Sequence, residues 1–141
     1  MAVRLSSLSP YLFILYVDAL SRALRMVVQG GELDPYWPVL GVQSLSHLLF
    51  ADDCLLIGRA SLRNVRHFVF MAEVYCRAFG QCINLQKSTI IFSLKMKVQV
   101  KHAILDRLGI PEQTGTLTYL GVPITGRRLR RVDCRHMEQR I

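Results

Sequence analysis

The chain has 141 residues, 51% of them hydrophobic and 20% charged, which excludes a polar disordered segment and suits one domain or one piece of a larger one. A chain of this size that closes on itself buries roughly two thirds of its unfolded surface. Its 18 Lys and Arg against 10 Asp and Glu leave +8 at pH 7, a balance that suits a polyanion, either nucleic acid or an acidic membrane face.

The first residues imitate a targeting signal: Arg4, several serines and an apolar run from Tyr11 to Val17. That run falls short of the ~20 apolar residues a membrane span needs, and Asp18 interrupts it, so no membrane partner is expected. Ser9-Pro10 reads as a helix start, a hydroxyl at the cap and a proline where a missing N–H costs nothing. Tyr11 to Val28 follows as a helix apolar nearly all round and therefore expected to be buried, with Gly30-Gly31 as its stop. Residues 34–38, Asp-Pro-Tyr-Trp-Pro, form a turn-rich connection.

Between Ser46 and Gly58 the pattern changes. Leu48-Leu49-Phe50 and Leu55-Leu56-Ile57 flank Asp52-Asp53, which predicts a strand, a tight turn and a returning strand. Leu62, Val65, Val69, Ala72, Cys76 and Phe79 then mark one helical stripe, with Ser61 as its cap and Gly80 as its left-handed end. Ile83 to Phe92 reads as one or two strands, and Lys95 to Leu108 as an amphipathic helix ended by Gly109 and Pro111. Tyr119 to Ile124 reads as a short strand, so the fold class is α+β. Half of the net charge lies in the last fifteen residues, through Arg127, Arg128, Arg130, Arg131, Arg135 and Arg140 against Asp133 and Glu138. This run is either a nucleic-acid contact or a solvated chain end. Cys54, Cys76, Cys82 and Cys134 form no C-x-x-C pair and read as buried, reduced thiols.

Asp52 and Asp53 are the chemically unusual pair. Adjacent carboxylates between apolar runs repel each other and raise at least one pKa unless a cation neutralises them. A hairpin turn lifts such a pair to a sheet edge, where Mg²⁺ can combine carboxylates with water and substrate phosphates. On spacing alone a plain polar turn remains the stronger alternative. A receiver-domain acid pair fits poorly, because the next aspartate, Asp106, falls inside a helix.

Leu48-Leu49-Phe50-Ala51-Asp52-Asp53 resembles the F/Y-A-D-D signature of non-LTR (LINE-type) retroelement reverse transcriptases. Leu8-Ser9-Pro10-Tyr11-Leu12-Phe13 is similar to the family's L-S-P-x-L-F, which opens the palm helix ahead of the catalytic hairpin. Gly80-Gln81, Ile83-Asn84 and Lys87-Ser88 match its G-x-x-I-N-x-x-K-S, and residues 119–124 match its Y-L-G-V-P-I. Four motifs in order over residues 8–126 make a far more specific signal than one acidic pair, and their wording is closest to plant LINE-type elements.

The resemblance implies a right-hand polymerase palm using Mg²⁺ as cofactor, with an RNA template, a DNA primer and deoxynucleoside triphosphates as partners. In such palms one ion activates the primer 3′-hydroxyl and a second clamps the triphosphate. By that resemblance Asp52 is the metal-binding aspartate and Asp53 its supporting partner, while Lys87 lies near the triphosphate as a proton donor to the leaving group. Tyr119, Leu120 and Gly121 match the hairpin that grips the primer end; Asn84 fixes a turn through its amide. Arg127, Arg128, Arg130 and Arg131 are the expected nucleic-acid contacts.

Two departures qualify the match. The family's first catalytic aspartate lies on a strand before the L-S-P helix, and no Asp precedes Pro10 here. Leu5 stands where the family's R-Q-G-x-P has its glycine. The expected organisation is a partial palm at 1–109, a primer-grip-like hairpin at 110–126 and the basic start of a thumb at 127–141. The expected function is a fragment of an RNA-directed DNA polymerase, a nucleotidyltransferase inactive without its missing upstream palm and fingers segment. The alternatives are a non-catalytic basic nucleic-acid-binding module and a retroelement remnant without function. Its expected location is intracellular, and nuclear if functional.

Overall fold

The computed structural model describes residues 9–38, 41–51, 53–80, 83–128 and 130. Among the described residues, three helices and two antiparallel hairpins make the α+β fold that the residue pattern predicts. In chain order they are α1 (Ser9–Gln29), β1 (His47–Phe50), β2 (Asp53–Leu56), α2 (Leu62–Phe79), α3 (Val98–Leu108), β3 (Leu117–Tyr119) and β4 (Val122–Ile124). The chain divides into two compact units, Met1–Cys82 and Ile83–Ile141.

In the first unit α1 packs on α2 and β1. Tyr16 stacks on Phe79 with ring centroids 4.2 Å apart. The helix ends as Gly30-Gly31 predict: Gly31 takes φ 72, its N–H bonds the Val28 carbonyl, and the Glu32 N–H bonds that of Val27. Burial does not follow the expectation. Leu24 is fully buried, but Tyr11 and Met26 are each 70% exposed and Ile14 and Leu15 each 62%. An all-round apolar helix needs cover on all sides, and α2 and β1 cover only part of this one.

Helix α2 carries the predicted caps: the Ser61 hydroxyl accepts from the Asn64 N–H, and Gly80 closes the helix at φ 65. Asn64 does more than sit in a first turn. It is 2% exposed, its Nδ2 donates to the carbonyls of Asp34 and Arg59 (both 2.8 Å), and its Oδ1 accepts from the Asp34 N–H (3.0 Å). One amide thus satisfies three backbone groups where the loop before β1, the chain leaving β2 and α2 meet. Gly58 lies so close that a Cβ there would meet the Asp34 carbonyl oxygen at 3.0 Å and Asn64 Nδ2 at 3.2 Å.

In the second unit, residues 83–92 do not form the predicted strands. Asn84 Oδ1 accepts from the N–H groups of Gln86 and Lys87, and the Ser88 hydroxyl donates to the Asn84 carbonyl. A side chain that serves the local backbone this way replaces a strand ladder with a turn. What remains is an isolated parallel bridge between Ile90 and Glu112. Helix α3 starts at Val98 rather than Lys95, because Ser93 to Met96 close a turn and Lys97 is still extended. Gly109 ends it at φ 64. Phe92 and Ile104 are buried in this unit, and the Lys101 Nζ bonds Glu112 Oε1 at 2.6 Å. Gly126 is required by space: a Cβ there would collide with the Phe92 carbonyl.

Candidate active-site hairpin and nucleic-acid contacts

β1 and β2 pair antiparallel in the register His47–Leu56, Leu48–Leu55, Leu49–Cys54 and Phe50–Asp53. The two apolar runs therefore face one another across a two-residue connection, residues 51–52, as their spacing predicts. Asp53 is the first residue of β2 and is exposed. Asp52, the other member of the acidic pair, lies outside the described residues. Ala51 adopts φ 50, a left-handed conformation that costs a side chain roughly 1–2 kcal/mol. Two-residue hairpin turns favour that region because it matches the twist of the strands. Along β1, His47 and Leu49 are half-buried while Leu48 and Phe50 are exposed, Phe50 at 59%.

A groove of about 510 Å³ runs between α1 and β1 up to this turn, with Phe13, Val17, Leu49 and Ala51 among its walls and Asp18, Ser21, Arg25 and His47 as its polar groups. His47 anchors strand to helix. Its Nε2 is 2.8 Å from the Ser21 Oγ and its Nδ1 2.8 Å from the Ser46 Oγ. A neutral imidazole donates at one nitrogen and accepts at the other, and two hydroxyls serve either tautomer. Burial lowers the His47 pKa and the Arg25 charge lowers it further, which holds the ring neutral. On β2, burial of the sulfur pushes the Cys54 thiol up to about 11, although the residue as a whole is exposed. The direction is what matters chemically: this is a protonated, unreactive thiol at neutral pH. Cys54 and Cys76 are free, but neither is the fully buried thiol expected of it.

The other candidates belong to the second unit. Lys87 is exposed on the turn that Asn84 holds. Residues 119–124 are not one strand but the end of β3, a turn and β4, paired Leu117–Ile124, Thr118–Pro123 and Tyr119–Val122. Leu120 at φ 51 and Gly121 at φ 80 are the two turn residues, both left-handed, which reverses the chain where the residue pattern alone gave one strand and the family resemblance a hairpin. Leu120 and Val122 are each about half exposed at this tip. The Arg127 N–H bonds the Thr125 hydroxyl and its guanidinium donates to the Arg128 carbonyl, while Arg128 and Arg130 are exposed. Arg131 lies outside the described residues.

Among the described residues no group of three or more His, Cys, Asp or Glu side chains could hold a metal ion. The hairpin contributes one described carboxylate, Asp53, so these residues do not by themselves compose a magnesium site. No described helix is long and apolar enough to cross a membrane.

The sequence model of the family described as Reverse transcriptase (RNA-dependent DNA polymerase) matches residues 6–124. The chain belongs to the reverse transcriptase family. The match runs from just before α1 to the end of β4, and so takes in the acidic hairpin, the Asn84 turn and the second hairpin. No curated protein matches the chain. The helices and small antiparallel sheets are those of a partial polymerase palm. Reverse transcriptases copy RNA into DNA, so a template, a primer and deoxynucleoside triphosphates are the family's partners, and magnesium is generally its metal.

Residue patterns missed Asn64, Ser21 and His47. Asn64 stands at the last position of a capping motif, Ser61-Leu-Arg-Asn64, where Glu or Gln would be the familiar partner, so a buried amide gave no distinctive signal. Ser21 and His47 are 26 positions apart, and only folding joins them.

Proposed function

We propose that this chain is the palm portion of a non-LTR, LINE-type reverse transcriptase, carrying the second half of the catalytic acid set. The observation that carries the reading is the β1–β2 hairpin, whose register puts Asp53 beside its turn within the span matched by the family. In this reading Asp52 holds metal and Asp53 supports it. Lys87 protonates the leaving pyrophosphate, Tyr119 to Gly121 grip the primer end, and Arg127, Arg128, Arg130 and Arg131 hold the nucleic-acid backbone. The four motifs and their plant-like wording favour the LINE type, and with it a nuclear site of action.

The chain by itself is proposed to be inactive. Two-metal transfer requires ions ~3.5–4 Å apart, held by carboxylates that converge from different strands. Asp52 and Asp53 are adjacent in the chain and cannot bracket both ions. A strand bearing another aspartate has to come from a further segment of the polymerase. The groove between α1 and β1 ends at the acidic turn, which supports docking of such a strand there. Primer extension on an RNA template with Mg²⁺ or Mn²⁺ tests this: no product above background is expected from the chain alone. Extension that disappears in Asp52→Ala would overturn the claim of inactivity.

A further inference from the structure

Helix α2 has two unlike sides. Its inner side carries Val65, which is buried, and Phe79, which stacks on Tyr16 of α1. At ~100° per residue, Arg63, Arg66, Phe70, Val74 and Arg77 fall within about 80° of arc on the opposite side. All five are exposed, Phe70 at 60%, and none lines the groove between α1 and β1. From Arg63 to Arg77 the arc runs about 21 Å along the helix. Arg63 is steadied there, its Nη2 donating to the Gly31 carbonyl at 2.9 Å. Glu73 borders the arc four residues before Arg77, yet among the described residues no ion pair engages any of the three arginines. Glu32 lies 3.9 Å from His67 Nδ1 instead.

We propose that this face binds a single-stranded nucleic acid, with phosphates on the guanidiniums and a base on the Phe70 ring. A guanidinium presents a planar fork that matches a pair of phosphate oxygens, and the three cations here are all arginine. The ring stands between Arg66 and Arg77, so a strand that follows the charges passes over it, and an unpaired base can stack there. A duplex keeps its bases inside and offers that ring nothing to stack on. An acidic membrane is a poorer occupant, because a helix lying on lipid inserts its apolar side, and the apolar side of α2 is already engaged by α1. The face belongs to the first unit, apart from Arg127 and Arg128 in the second, and does not depend on the polymerase reading.

The test is fluorescence anisotropy of a labelled oligouridylate at low protein concentration over a series of salt concentrations. Arg63 is left in place because of its bond to Gly31. Arg66→Ala with Arg77→Ala should weaken binding and reduce the slope of log K against log salt by about 1.4, two phosphate contacts at about 0.7 each. Arg77 also suits the C-terminal end of the helix dipole, but loss of that role alone would leave the slope unmoved. Phe70→Leu keeps an apolar side chain and removes the ring; it should weaken binding about fivefold or more with the slope unchanged. Circular dichroism checks that each variant keeps its helices. The chain with Arg127, Arg128, Arg130 and Arg131 all changed to Ala should still bind, and the α2 variants should act in it in the same way. No binding by that chain at low salt overturns the proposal, as does an unchanged slope in the double variant or unchanged affinity in Phe70→Leu. So does a double variant that loses binding to vesicles of phosphatidylcholine and phosphatidylserine while holding the oligouridylate as before.

Discussion

Replacing Asn64 by Ala removes a side chain that bonds three backbone groups at 2.8–3.0 Å from a site only 2% exposed. A hydrogen bond of this kind contributes roughly 0.5–1.5 kcal/mol net, and a buried group left without its partner costs roughly 1–3 kcal/mol. The Asp34 carbonyl keeps the Arg59 N–H at 3.0 Å, but the Asp34 N–H and the Arg59 carbonyl lose their side-chain partner. The expected loss is therefore about 3 kcal/mol, a large part of the ~5–15 kcal/mol that holds a domain folded. Asn64→Asp should be no better, since a carboxylate would face two carbonyl oxygens in place of the donated bonds. Arg66→Ala, on an exposed position of the same helix, should cost less than about 0.5 kcal/mol. Urea unfolding followed by pulse proteolysis at low protein concentration avoids self-association and measures all three. An Asn64→Ala variant within about 0.5 kcal/mol of the unaltered chain would refute the argument that this amide ties the loop, the hairpin exit and α2 together.

Acid should destabilise the first unit through His47. Its pKa is lowered on folding, so the unfolded chain takes up the proton first; the contribution is complete above the ordinary value of 6.5 and is lost as pH falls below it towards the folded value. Thermal melts between pH 7.5 and 5 should show that loss, and His47→Gln should flatten it. Gly126→Ala should destabilise the second unit by ~1–3 kcal/mol or more, because the new methyl meets the Phe92 backbone and not a yielding side chain; a neutral result in urea melts would mean the chain relaxes there freely. Nucleic-acid binding should be non-specific, with log K falling against log salt by about 0.9 per phosphate contact on duplex and about 0.7 on single strands. Changing Arg127, Arg128, Arg130 and Arg131 to Ala should reduce that slope, and an unchanged slope would return them to the role of a solvated chain end.

Local signals carried well from residues to structure where one residue type does one physical job. Ser61, Gly31, Gly80 and Gly109 bounded helices because a hydroxyl can cap and a glycine can take positive φ. The apolar–acidic–apolar run became a hairpin because turn and strand preferences agreed. Residues 83–92 failed because β-branched composition competed with Asn84, whose amide captured the backbone first. At 119–124 the strand pattern hid a turn, since Leu120 accepts a left-handed conformation that its chemistry does not advertise. The burial of α1 was misread for a different reason: composition reports that a surface is apolar, whereas cover depends on which elements reach it. Within the candidate site, the acidic pair and the second hairpin were legible as motifs, but the Ser21–His47–Ser46 link was not, because it exists only between elements.

The most direct test of the account is reconstitution of RNA-templated primer extension. The chain is assayed alone and fused behind a reverse transcriptase segment that carries the first catalytic aspartate strand and the fingers, each with and without Asp52→Ala. The account predicts silence from the chain alone, extension from the fusion, and loss of that extension in the variant. Extension by the chain alone, abolished by Asp52→Ala, would contradict it, as would a well-folded fusion whose extension is indifferent to Asp52.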